Sequence, residues 1–233
     1  MKLNLKLLTS SIAILTSSMA IQAQDISITI DNLTQGIIFT PFLVAAHGES
    51  DHLFEVGTTA SSELQMMAEG GDISGLVTNM EAINATLISN PAEGLLMAGA
   101  STTGAMDTGS NGYLSLVSML LPTNDGFVGL DGWEIPTEAG TYVVTLNAYD
   151  AGTEANDEII NGGGAPGTPG IPAAPAGNAG ANATGVTTTE SNNMIHIHRG
   201  NVGDDDLTAG ISDVDNRIHR WLNPVVRLTI VVN

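Results

Sequence analysis

Cysteine is absent from all 233 residues. That excludes disulfides, iron–sulfur clusters, thiolate zinc sites and thiol nucleophiles. Positive charge is nearly as scarce, with 6 Lys and Arg against 25 Asp and Glu, a formal charge of −19. Phosphate binding needs clustered Lys and Arg, so a nucleic-acid partner is excluded. Adhesion to an anionic membrane is disfavoured for the same reason. Aromatic residues make up only 4%. A Gly-x-Ser-x-Gly elbow, a Walker loop and a strand–Gly-x-Gly-x-x-Gly–helix unit are all missing, so the common nucleophile and nucleotide motifs are not here. The chain does have a hydrophobic fraction of 42%, which is enough for a real core. Its length suits one large all-β domain or two small ones.

Lys2 and Lys6 precede an apolar stretch with Leu7, Leu8, Ile12, Ile14 and Leu15, followed by the small residues Ser17, Ser18, Ala20 and Ala23. A basic start, a short apolar run and a small-residue zone read as a secretory signal over residues 1–23, cleaved after Ala20 or Ala23. The run is too short and too interrupted by Ser and Thr for a membrane span. The expected protein is therefore secreted, extracellular or periplasmic, with no membrane insertion once the signal is gone. Both lysines leave with it. Four arginines (Arg199, Arg217, Arg220 and Arg227) then face 25 acids, and 4 − 25 gives −21. Such a carboxylate density outside the cell suits calcium, a hard cation that takes oxygen ligands. The plainer alternative is a structural secreted protein whose acids keep it soluble.

Alternation marks the strands. Ile26, Ile28 and Ile30 share one face of a segment reaching Leu33, and Ile37–Ala45 is a second β-prone run. Residues 32–36 read as the hairpin between these two. Ser61 or Ser62 caps a short helix carrying Leu64, Met67 and Ala68, with Gly70 past its end. A second short helix is expected over Ile73–Met80. Tyr113–Leu121, Thr141–Tyr149, Asn193–His198 and Val225–Val232 are further strands, the last one central in the sheet. Residues 92–112, rich in Gly, Ala, Ser and Met, carry no clear pattern. Residues 161–185 consist almost wholly of Gly, Pro, Ala, Asn and Thr and read as a flexible loop inside a single domain spanning 24–233. Short strands with little helix predict an antiparallel β-sandwich.

Two groups of residues could carry chemistry. Asp125 lies in a turn after the Tyr113 strand, and Asp150 and Glu154 lie in the loop after the Thr141 strand. If those strands run side by side, the three carboxylates converge and would repel each other without a cation. Gly152 allows the sharp turn this needs. The second group is His196 and His198, which alternation sends to one face. Joined by His219, or by Asp204, Asp205 and Asp206, they would make a transition-metal site and a metal-dependent hydrolase. Asp213 and Asp215 form a further acidic pair.

Several stretches resemble the spondin domain family. Phe39-Thr-Pro-Phe-Leu-Val-Ala-Ala-His47, Phe54-Glu-Val-Gly57, Ala60-Ser61 and Met67-Ala-Glu-Gly70 are similar to its N-terminal half. Pro122-Thr-Asn-Asp-Gly-Phe-Val-Gly129-Leu-Asp131 resembles the family's Pro-Ser-Pro-Asp-Trp-Phe-Val-Gly signature. Tyr149-Asp-Ala-Gly-Thr-Glu154 resembles its Asp-Ala-Gly-Thr-Asp loop, and Asn223-Pro-Val-Val-Arg227 its closing strand. The resemblance implies an antiparallel sandwich of about eight strands, similar to the calcium-dependent lipid-binding fold. It also implies a Ca²⁺ site at Asp125, Asp150 and Glu154. It implies a non-catalytic adhesion module that recognises a cell-surface or matrix protein or glycan. The chain departs from the pattern at Gly126 (Trp in the signature), at Glu154 (Asp in the loop), in its lack of cysteine and in the inserted 161–185 stretch.

Overall fold

The computed structural model describes residues 23–173, 175, 180–206 and 208–233. The segment expected to be a secretory signal, apart from Ala23, lies outside the described residues. Twelve elements follow in order: β1 (Asp25–Asn32), β2 (Ile38–Phe39), β3 (Leu43–His47), α1 (Ser62–Gly70), α2 (Ser74–Ala82), β4 (Thr86–Ser89), β5 (Ser101–Asp107), β6 (Tyr113–Leu121), β7 (Gly126–Glu134), β8 (Gly140–Asp150), β9 (His196–Ile197) and β10 (Val226–Val232). Eight strands form one antiparallel path, β4-β3-β6-β7-β8-β10-β1-β5, while β2 pairs with β6 and β9 with β8. The path curls until its edge strands meet. Ile88 of β4 packs over Gly104 of β5, and Thr102 Oγ1 donates to the Pro91 carbonyl at 2.8 Å. The result is the expected antiparallel β architecture, sandwich-like and nearly closed into a barrel.

Two apolar layers explain the sequence patterns. Alternating residues of β1 and β10 (Ile26, Ile28, Ile30, Leu228, Ile230 and Val232) fill the interior with Phe39 and Phe42. Strand β6 reads as an unbroken apolar run because both its faces are covered. Leu114, Leu116 and Leu120 face the interior, whereas Val117, Met119 and Leu121 face a second layer under the two helices. Leu64, Met67, Leu76 and Met80 supply the helical side of that layer. Each such fully buried side chain contributes about 1.5–3 kcal/mol. Ser61 caps α1 by accepting from the Leu64 amide at 3.1 Å, and Gly71, one residue later than the sequence suggests, closes it.

Three expectations need correction. Residues 32–36 do not form a hairpin, because β1 pairs with β10 and β5, not with β2. The Ile37–Ala45 run is split into β2 and β3 around Pro41, which has no amide to give a ladder. The Tyr113 and Thr141 strands are not neighbours. Strand β7, hidden in the sequence by Gly126, Gly129 and Gly132, lies between them. Residues 92–112 hold β5, whose Ala, Gly and Ser residues conceal a strand paired along β1.

Beyond β8 the chain is mostly irregular and is fastened by carboxylates. Glu158, buried, accepts from the amides of Val202 and Gly203 at 2.6 and 2.8 Å and from the Ser212 hydroxyl. Asp213 accepts from the amides of Ile160, Ala181 and Ala183. Described residues of the Gly/Pro/Ala stretch are also tied down. The Gly167 amide donates to Glu69 Oε2 at 2.6 Å, and Ile171 packs with Ile160 and Val214.

Candidate functional site

The end of β8 and the start of β7 build the site. Gly126 pairs with Asp150 across the ladder, and the Ala151 amide donates to the Asp125 carbonyl at 3.2 Å. Register alone thus sets Asp125 beside the Asp150–Glu154 loop. Gly152 turns that loop with φ 72°, and a Cβ there would lie 2.6 Å from the Asn193 carbonyl carbon. Asp125, Asp150 and Glu154 are all buried, at 0%, 1% and 8% exposure. Buried carboxylates require partners, and the partners are unevenly shared.

Asp150 is satisfied at both oxygens, by the Gly152 amide at 2.8 Å and by Asn156 Nδ2 at 2.7 Å. Asp125 Oδ2 accepts from the Thr153 amide at 2.8 Å, the Thr153 hydroxyl at 3.2 Å and the Glu154 amide at 3.1 Å. Glu154 Oε2 accepts from the Gly170 amide at 3.0 Å and from Asn124 Nδ2 at 3.3 Å. Asp125 Oδ1 and Glu154 Oε1 are buried with no partner among the described residues. Burial, with the Asp150 charge second, pushes the Asp125 carboxyl up to about 7. Burial likewise lifts Glu154 to about 7, against the hydrogen bonds from Gly170 and Asn124. A cavity of about 250 Å³, lined by Thr153, Glu154, Asp157, Gly167, Pro169 and Thr188, gives access to Glu154.

Oxygen-only donors with two orphaned buried oxygens fit a hard cation such as Ca²⁺, whose remaining positions are readily filled by carbonyls and water. Among the described residues, no three His, Asp or Glu side chains are grouped closely enough to hold one metal ion. The histidines are also dispersed in their bonding. His196 Nδ1 is 2.8 Å from the Met194 carbonyl, and its Nε2 is 3.9 Å from Asp150 Oδ2. His198 is buried, accepts at Nδ1 from the Gly200 amide at 2.9 Å and packs on Trp221. Burial lowers it to about 4. The strand expected over Asn193–His198 is reduced to the two residues of β9, and His196 is part-exposed whereas His198 is buried. Asp204 and Asp206 cap local turns through backbone amides.

Thr123 and His198 crowd the position where the chain departs from the spondin signature. A side chain at Gly126 would meet Thr123 Oγ1 at 2.7 Å and His198 Cδ2 at 3.1 Å, so His198 occupies the space next to that position. Sequence reasoning missed Asn124, Asn156 and Gly170, the partners of the acids. Asn124 was visible inside the signature loop, whereas Asn156 and the Gly170 amide carry no motif. Among the described residues, no helix is long and apolar enough to cross a membrane. No curated protein matches the chain. The Spondin_N family profile matches residues 32–159, just over half of the chain, from the end of β1 through the signature loop and all three acids. On that match the chain belongs to the Spondin_N family.

Proposed function

We propose that this chain is a secreted, non-catalytic recognition module that binds Ca²⁺ at Asp125 and Glu154, with Asp150 beside them, and adheres to a cell-surface or matrix protein or glycan. Membership of a typically extracellular family supports the location. The observation that carries the cation is the pair of orphaned buried oxygens, Asp125 Oδ1 and Glu154 Oε1. A divalent ion would offset the burial, and the smaller charge repulsion, that raise both carboxyls and would lock the signature loop to the Asp150–Glu154 loop. Calorimetry of Ca²⁺ binding to the wild type and to Asp125→Asn tests this. The variant keeps an acceptor for the Thr153 and Glu154 amides and loses the anionic ligand. Heat in the wild type alone is expected; equal heat or none in both defeats the proposal.

A second reading is a metal-dependent hydrolase at His196, His198 and His219. Its support is that His198 Nε2 and His219 Nδ1 are buried without partners among the described residues. Stoichiometric zinc in purified protein, lost on His198→Ala, would favour it over the calcium reading.

A further inference from the structure

The outer face of β7 and β8, away from the acid loops, carries an open groove of about 430 Å³. Phe54, Glu55, Val56, Asp131, Asn147 and Tyr149 shape it, with Gly129 and Asn147 paired across its floor. Three of the chain's few aromatic rings gather here. Phe54 lies 5.1 Å from Tyr149 and 5.0 Å from Phe127, centroid to centroid. Phe54 is buried and holds Tyr149, which is only half buried and presents ring surface to the groove. Val56, 56% exposed, forms the opposite apolar lip. Glu55 is exposed, and its carboxylate has no hydrogen-bond partner among the described residues. Asp131 is fixed by His52 Nδ1 at 2.9 Å and by the Ser115 hydroxyl at 3.4 Å.

We infer that this groove receives a basic side chain, Arg or Lys, from a protein partner. The statement rests on the recognition reading above and deepens it by naming the chemistry recognised. A basic side chain has an apolar stem and a cationic tip, and the groove supplies both complements. The stem lies against Val56, Leu130 and the Tyr149 ring; the tip meets the ring face and the Glu55 and Asp131 carboxylates. The lining contains no Lys or Arg to repel it. The surrounding charge acts in the same direction, because no lysine remains past residue 6 and 25 acids face four arginines. The same acids turn away an anionic ligand.

The test is fluorescence anisotropy of the purified chain with a labelled peptide of four Arg-Gly repeats, with a Glu-Gly counterpart and maltohexaose as comparison probes. Two charge reversals, Glu55→Lys in the groove and Glu93→Lys at an exposed turn between β4 and β5, change the net charge equally. Binding of the Arg-Gly peptide alone is expected. Glu55→Lys should weaken it by about tenfold or more and Glu93→Lys by about twofold or less, since a local like charge acts far more strongly than a distant one. Equal weakening by both variants, no binding to the wild type, or binding of maltohexaose in place of the peptide would overturn the inference. Titrations in chelator and in calcium separate the two proposals. The groove contains neither Asp125 nor Glu154, so peptide binding should persist in chelator even if no calcium heat is found.

Discussion

Glu158 and Asp125 are both buried carboxylates in loops at the same end of the sheet, linked through Asn124, which accepts from the Glu158 amide. Their surroundings differ. Three donors converge on Glu158 and leave neither oxygen free. Three donors also reach Asp125, yet all fall on Oδ2, and Oδ1 is left bare near another carboxylate. The first acid is a staple for loops with little regular structure. The second, like Glu154, keeps one buried oxygen without a donor among the described residues, which is what the calcium proposal rests on. In a protein without cross-links, equal residue types therefore end in two different states, and the distribution of amide donors separates them.

The largest expected effect comes from removing the staple. Glu158→Ala would strip the buried Gly203 amide and the part-buried Val202 amide of their acceptor and the Ser212 hydroxyl of its nearer one, at a cost on the order of 3 kcal/mol, or roughly 10 °C in Tm for a chain of this size. A loss below ~1 kcal/mol in denaturant melts would break the distinction. Next is calcium itself. At one hundred times its Kd it should stabilise the wild type by about 2.7 kcal/mol, seen as a rise of roughly 5–10 °C, with no rise in Asp125→Asn. A rise retained by that variant would mean that the bare oxygen is not the ligand.

Protonation gives a signed effect. Asp125 and Glu154 titrate near 7 in the folded chain, above their ordinary 3.8 and 4.5. Between about pH 4 and 7 the folded state holds protons that the unfolded state has released, so these two groups make stability fall as pH rises through that window. His198 acts in the opposite sense. Lowered from 6.5 to about 4, it makes stability fall as pH drops from 6.5 toward 4. In chelator, Asp125→Asn should therefore melt above the wild type at pH 8 and close to it at pH 4.5; thermal melts across this range check the sign. Smallest is Asp213→Asn, which turns an NH₂ toward the Ile160 amide while keeping an acceptor for Ala181 and Ala183. A loss of about 1 kcal/mol is expected, with faster proteolysis within residues 161–185.

Much of the sheet was legible. β1, β6, β8 and β10 fall where alternation or apolar density places them, and Ser61 caps α1 as its position suggests. What escaped has a common cause. β5 and β7 are interrupted by small residues, Gly104 and Ala105 in one and three glycines in the other, so no clean alternation marks them and their pairing with β1 and with β6 and β8 completes the strands. The absence of a hairpin at 32–36 has the same origin, since β1 finds its partners at residues 101–107 and 226–232. For the site, the three acids were identifiable from the signature and Asp-Ala-Gly-Thr-Glu loops, although the strand thought to bring them together was not the one that does.

The sequence by itself determined a chain with an acidic surface and no cross-links, made of alternating strands, with Asp125, Asp150 and Glu154 in turns at strand ends. These are local properties, set by composition and by neighbours a few residues apart. The tertiary structure decided which carboxylate oxygens would be filled. Asn124 reaches Glu154 across 30 residues, and the Ser212 hydroxyl reaches Glu158 across 54. A carboxylate looks the same in any sequence. Whether it ends as a saturated staple or as an open ligand depends on amides that arrive only when distant loops fold against it.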